Sequence, residues 1–284
     1  MTMLRKTVCE LRDVTFVYPG EAADGSAGAR PALSGISFSV QEGEWVALIG
    51  SNGSGKSTLA KHLNALLVPT QGDCFVYGLS AKDPENVFRI RNLVAMVFQN
   101  PENQIVGTVV EEDAAFGPEN QGLPPFHIQQ RVEEALTVTG LLEKRKKPTY
   151  TLSGGEKQRL AVAGALAMDT PCLVLDEPTA MLDPQGRQEI LSVLGRLHES
   201  GKTILSITHR LEEILCCDRA LVLAEGKKVW EGTVPALFRE VSSFRNWGLD
   251  IPPLVALWGD LMLRPGFSMP LLPTVQGMVD ALCP

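Results

Sequence analysis

The sequence predicts an α/β fold: a mixed sheet around a phosphate-holding loop, with an antiparallel β subdomain before it, a helical subdomain inserted in it and a small helical domain after it. Three observations predict it. The apolar run Trp45-Val46-Ala47-Leu48-Ile49 leads straight into Gly50-Ser51-Asn52-Gly53-Ser54-Gly55-Lys56-Ser57-Thr58, which leads into a helix-patterned stretch over 59–67. Two further apolar runs, Cys172-Leu173-Val174-Leu175 and Ile204-Leu205-Ser206-Ile207, flank a helical stretch; strand, helix, strand at that spacing means parallel pairing. Between these blocks, residues 109–168 carry helical periodicity.

Taken in order, 8–18 is β-branched enough for a strand and stops at Pro19-Gly20, and 21–30 is small and Gly/Ala-rich, a mobile hairpin loop. Residues 36–40 alternate polar and apolar, so an antiparallel pair precedes the glycine loop. In that loop the glycines let the backbone curl until several N–H groups converge on phosphate oxygens, and the following helix adds its positive end. Lys56 is placed to bridge the outer phosphates of a nucleoside triphosphate and Ser57 to ligate magnesium. A short strand is expected at 75–78 and a buried one at 93–98. Within the helical subdomain, 128–142 carries Val132, Leu136 and Leu141 against charged neighbours. The basic run Lys144-Arg145-Lys146-Lys147 reads as a solvated helix end. Ser153 and Glu156 form a capping box at a helix start, with Gly154 and Gly155 permitting close approach. The strand at 172–175 ends in Asp176 and Glu177, where one acid can serve a magnesium site and the other can act as base toward water. Asp183 caps a helix with Pro184 at its first position, running to about 198. Beyond 232 the texture shifts to prolines with Trp247 and Trp258 among aliphatics, a helical appendage from about 235.

Bulk properties narrow the function. With 284 residues there is room for one large domain and an appendage, placed at 8–234 and 235–284. A formal charge of −7 argues against gripping nucleic acid, which needs clustered Lys and Arg. Six cysteines without C-x-x-C spacing read as reduced thiols in the cytosol, and the N-terminus lacks the apolar core of a signal peptide. No apolar run approaches the ~18 residues needed to span a bilayer, so membrane association is expected through a partner.

The string Leu152-Ser153-Gly154-Gly155-Glu156-Lys157-Gln158-Arg159 resembles the signature of ATP-binding cassette (ABC) ATPases, a branch of the P-loop NTPases, and the likeness extends in order along nearly the whole chain. The loop at Gly50 matches the Walker A motif, Gln99 the glutamine loop, Leu175-Asp176-Glu177 the Walker B end, Leu182-Asp183 the D-loop and His209 the switch histidine. The resemblance implies ATP and Mg2+ as ligands, with the metal on Ser57, Asp176 and Gln99. It implies catalysis by Glu177, His209, Lys56 and Gln99, and an adenine stacked on Tyr18. It also implies that ATP is sandwiched between two cassettes, Ser153, Gly154 and Gly155 of one facing the phosphate loop of the other. A helix N-terminus with bare glycine amides is a good oxyanion clamp.

Val97-Phe98-Gln99-Asn100-Pro101-Glu102-Asn103-Gln104 and Ala115-Phe116-Gly117-Pro118-Glu119-Asn120 are similar to the ATPases of energy-coupling factor (ECF) and cobalt-type importers, the latter string to the first of their two ATPase types. The partners this implies are a second ABC ATPase subunit, a transmembrane coupling subunit and a small substrate-binding membrane protein, with the chain peripheral at the cytoplasmic face of the cell membrane. The sequence departs from the pattern in the long glycine-rich stretch at 21–30 and in the end of the chain from Leu263. Two other readings stand beside it. A soluble cassette acting on DNA or ribosomes usually has tandem cassettes or a long coiled-coil insertion, and this chain has neither. A non-hydrolysing regulatory cassette is opposed by the presence of Glu177, Gln99 and His209 together.

Overall fold

Strand β3 (Trp45–Gly50) is buried at every position, and its side chains sort by parity into two cores. Trp45, Ala47 and Ile49 face one way and Val46 and Leu48 the other, the period-2 signature of a strand covered on both faces. The computed structural model describes residues 6–19, 30–251, 253–262 and 275–282. In it β3 lies inside a six-stranded sheet of order β10-β9-β3-β8-β7-β6. The other members are β6 (Val94–Val97), β7 (Cys172–Asp176), β8 (Thr203–Ile207), β9 (Arg219–Ala224) and β10 (Lys227–Thr233). All pairings are parallel except β9 with β10, and Leu48 and Asp176 both register on Ile207. The carboxyl ends of β3, β7 and β8 therefore finish side by side, where ligands of open α/β sheets bind.

A second, antiparallel sheet runs β2-β1-β4-β5, with β1 (Thr7–Phe16) between β2 (Leu33–Gln41) and β4 (Gln71–Val76), and β5 (Leu79–Ser80) at the edge. Cys9, Leu11, Val14 and Phe16 of β1 share a core with Leu48, Val174 and Leu205 of the large sheet and with Leu59 and Leu63 of helix α1 (Lys56–Leu63). The expected helix over 59–67 starts and ends earlier, at Lys56 and Leu63, and the expected strand at 75–78 starts earlier, at Gln71. Tyr77 and Gly78 instead form the β4–β5 turn, both at positive φ. A short helix α2 (Val87–Arg91) leads to β6.

The helical subdomain comprises α3 (Val110–Asn120), α4 (Pro125–Val138) and α5 (Gly154–Ala167) around Val110, Ala114, Val132, Leu136 and Leu160. Leu141 is buried there too, but α4 ends before it. The basic run is the solvated end of a short helical turn, Leu142–Lys144, with Arg145, Lys146 and Lys147 exposed. It follows the turn after α4, its carbonyls at Arg145 and Lys147 accept the N–H groups of Glu111 and Val110 at the start of α3, and its Lys144 and Lys146 pair with Glu156 and Glu111. The end of a charged stretch thereby supplies acceptors for the open donors of a helix N-terminus.

Helix α6 (Pro184–Glu199) starts as expected, with the Asp183 carboxylate accepting from Gly186 N at 3.0 Å. The tail forms α7 (Val234–Leu237), α8 (Pro253–Met262) and α9 (Val275–Leu282). Its Phe238, Phe244, Val255, Trp258 and Met278 join the core formed by Trp45, Ala161, Ile190 and Val222 on the face of the large sheet opposite α1. Between α7 and α8 the chain turns at Gly248 (φ +69), with Leu249 N donating to Phe244 O at 2.9 Å. That turn rests on the phosphate loop: a Cβ at Gly248 would stand 3.1 Å from Ser51 Cβ. Among the described residues Cys9, Cys74, Cys172, Cys216 and Cys217 are free thiols. No helix among them is long and apolar enough to cross a membrane. The expected loop at 21–30 lies outside the described residues except for Arg30, as does the stretch 263–274.

Candidate functional site

The loop after β3 is built so that only its backbone and a few polar atoms face the cleft. At Gly50 (φ +154) a Cβ would sit 2.2 Å from Leu223 O, so the strand can turn into the loop only with glycine there. Lys56, 6% exposed, donates from Nζ to Gly50 O at 2.9 Å and Ser51 O at 2.8 Å. Burial pushes its ammonium below the usual range, while Glu177 and Asp176 pull it back up. Ser54 is buried with its Oγ unpartnered by any protein group, a polar atom oriented for something else. Helix α1 begins at Lys56 with no side-chain cap, so its first-turn N–H groups are left for an anion.

Asp176 and Glu177 leave the end of β7 in different directions. Asp176 is buried beneath the loop and accepts from the Ser57 hydroxyl; burial raises its carboxyl above the ordinary range and the Ser57 bond lowers it again. Among the described residues no three His, Cys, Asp or Glu side chains form a ready metal cage. One hydroxyl beside one carboxylate fits magnesium, which is ordinarily held by one or two carboxylates together with substrate phosphates and waters. Glu177 takes a positive φ of 49°, rare for a residue with a side chain, and is fixed by its N–H to Ile207 O at 3.0 Å. Its carboxylate lies between two partners: Gln99 Nε2 donates to Oε2 at 3.2 Å, and His209 Nδ1 stands 3.2 Å from Oε1. His209 is itself half exposed.

Tyr18, Ser51, Asn52, Gly53, Ser54, Gly55, Lys56, Ser57, Thr58, Gln99 and Glu177 all line one cleft of about 710 Å³. Gly50 and Asp176 form its root and His209 adjoins Glu177. Tyr18 meets Thr58, hydroxyl to hydroxyl, at 3.0 Å, and packs edge-on against Phe16. Five lining residues were not anticipated: Pro31 and Ala32, Arg30 with its partner Glu225, and Gly226, whose N–H donates to Ser54 O at 3.1 Å. Glu225 and Gly226 are the two-residue turn between β9 and β10, both at positive φ (50° and 75°). An acidic residue followed by glycine between two strand-like runs is the local signal that could have revealed them.

Ser153, Gly154 and Gly155 are not brought to this cleft. The capping box is present, Glu156 N donating to Ser153 Oγ at 3.3 Å and Ser153 N to Glu156 Oε2 at 2.8 Å. Lys144, then the Ser153 backbone, hold the Glu156 carboxyl below its usual range. Ser153 and Gly155 line a separate hollow with Met181, Leu182 and Asp183, and Ser153 and Gly154 are exposed.

Comparison with known proteins identifies the family. The ABC transporter family matches residues 33–180. The energy-coupling factor transporter ATP-binding protein EcfA1 of Symbiobacterium thermophilum is 50% identical over 272 residues, 95% of this chain and 94% of that protein. The cobalt import ATP-binding protein CbiO of Syntrophus aciditrophicus is 46% identical over 248 residues, covering 87% and 86%. Among solved structures, cbiO1 of Clostridium perfringens, described as part of the ABC transporter complex cbiONQ, superposes with a TM-score of 0.72 at 34% identity, over 89% of this chain and 98% of that one. A dimeric ATP-binding cassette in a post-hydrolysis state with ADP and Pi superposes with a TM-score of 0.73 at 27% identity, over 80% of this chain and 98% of that one.

Proposed function

The chain belongs to the ABC transporter family as an ATP-binding subunit of the energy-coupling factor and cobalt-importer kind, and from that premise we propose how its residues divide the work of hydrolysis. Lys56 and the loop amides from Ser51 to Thr58 hold the phosphates, and Tyr18 borders the base. Ser57 and Asp176, with Gln99, would hold magnesium, which would supply positive charge against the phosphates. Glu177 accepts a proton from the attacking water, with Gln99 and His209 fixing its two oxygens, and His209 registers loss of the terminal phosphate. The observation that carries this reading is the Glu177 carboxylate held between Gln99 and His209 at the rim of the phosphate cleft. Replacing Glu177 by Gln keeps the shape and removes the base. Phosphate release is expected to fall by about a hundredfold or more with ATP still bound, and near-normal release would remove Glu177 from the role.

The exposed Ser153-Gly154-Gly155 turn completes the site of a second ATPase subunit. The nucleotide-binding unit is residues 8–234 and the appendage 235–284. The further partners are a transmembrane coupling subunit and a small substrate-binding membrane protein, with no nucleic acid. The chain works as a peripheral protein on the cytoplasmic face of the cell membrane, and its hydrolysis powers uptake of vitamins or metal ions. Co-purification with a polytopic membrane protein tests this arrangement, and recovery with nucleic acid instead would overturn it.

A further inference from the structure

Beneath the rim of the cleft lies a carboxylate that none of these steps uses. Glu213 opens the short turn Glu213–Cys216 after β8 and is 6% exposed. Each of its oxygens takes one hydroxyl: Thr179 Oγ1 donates to Oε1 at 2.7 Å and Thr208 Oγ1 to Oε2 at 2.8 Å. The Arg187 guanidinium stands 3.5 Å from Oε1 and also reaches Leu182 O at 3.5 Å. An ionised carboxylate only accepts, so both hydroxyl protons are committed to it and the Thr208 oxygen is free to accept the N–H of Arg210 at 3.0 Å.

The sequence positions of these partners give the arrangement its meaning. Thr179 lies two residues after Glu177, in the turn where Ala180 N donates to Glu177 O at 3.1 Å. Thr208 lies directly before His209, and Arg210 directly after it. One buried side chain therefore ties the backbone that carries Glu177 to the backbone that carries His209. Through Arg187 it reaches Leu182, which borders the hollow of the signature turn. Glu177 sits at an unfavourable φ, a state that persists only where the surroundings over-determine it. A buried acid is a poor device for stability alone, since well-packed apolar residues commonly do as well or better.

We infer that Glu213 is a positioning residue for hydrolysis, holding Glu177 and His209 in mutual register without touching nucleotide or water. The inference rests on the proposed role of Glu177. Its test uses the full chain assembled with its partner subunits and compares Glu213→Gln, Thr179→Val and Thr208→Val in phosphate release and in titration with a fluorescent ATP analogue. Glutamine keeps the volume but turns one acceptor into a donor, so one threonine proton loses its acceptor and that hydroxyl must reorient. The expected result for Glu213→Gln is kcat lower by about tenfold with KM and nucleotide affinity within about twofold of the parent. Thr179→Val is expected to give a smaller loss in kcat that does not add to that of Glu213→Gln.

Turnover of folded Glu213→Gln within about twofold of the parent, or a loss appearing only as a raised KM, would overturn the inference. If Glu213→Gln does not fold, the two valine variants decide: unchanged kcat in both overturns it, and lowered kcat at unchanged KM upholds it. Glu177→Gln in the same assay separates the two failures. If it retains turnover, the assignment of the base is wrong; if it alone is inactive, only the positioning role of Glu213 falls.

Discussion

The phosphate loop and the signature turn are both glycine-bearing entries to helices, yet they are built in opposite ways. The first is buried and bonded inward, with Lys56 on two loop carbonyls and Ser57 on Asp176, in a cleft that already contains Gln99 and Glu177. The second is exposed, satisfied by its own capping box, and fronts a hollow that contains none of those groups. The difference teaches that the groups around the phosphate loop are gathered within the chain, while the signature turn stands apart from them. On the proposed pairing, that turn would serve a second subunit's nucleotide.

The sharpest way to break that contrast is to disable each half separately. Lys56→Ala should weaken ATP binding to the isolated chain by about a hundredfold or more, read by fluorescent-nucleotide titration. Ser153→Arg should leave that binding within about twofold while cutting turnover of the assembled pair by about a hundredfold. Equal losses of binding in both would show that the turn serves its own chain. Mixing the two variants then sharpens the picture: recovered turnover means the chain pairs with itself, and none means that it needs a different ATPase subunit.

Changes of pH should act on the cradle from both sides. Burial raises the Asp176 carboxyl, so on acidification it takes up a proton earlier than an ordinary aspartate and magnesium-dependent ATP binding weakens at correspondingly higher pH. Burial lowers the Lys56 ammonium, so on the alkaline side its charge is lost earlier than for an ordinary lysine. A pH series of ATP affinity should therefore narrow from both ends, and Asp176→Asn should flatten the acid limb. At the turn the smallest effect is structural: Ser153→Ala removes the cap of α5 and should cost about 1 kcal/mol, read as a lowered midpoint in urea.

Much of this was legible in the sequence because the signals were local. The loop at Gly50, the capping box of Ser153 and Glu156, and the Asp183-Pro184 helix start each lie within a few consecutive residues, and each is found where expected. The strands β9 and β10 went unread, although their Glu225-Gly226 turn is a hairpin signal and delivers Gly226 to the cleft. The basic run at 144–147 is the solvated helix end expected, but its pairing with Glu156 and Glu111 was not legible because those partners are remote in sequence. Glu213 left no trace at all, since what distinguishes it is burial against Thr179 and Thr208, a tertiary fact.

The turn at Gly248 has a practical consequence for anyone dissecting the chain. Because it abuts Ser51, whose carbonyl anchors Lys56, the appendage is a lateral stop for the most sensitive loop of the molecule. A fragment ending at residue 234 would carry every hydrolytic side chain and still present a phosphate loop unsupported on one flank, so affinities measured on it would describe a different protein.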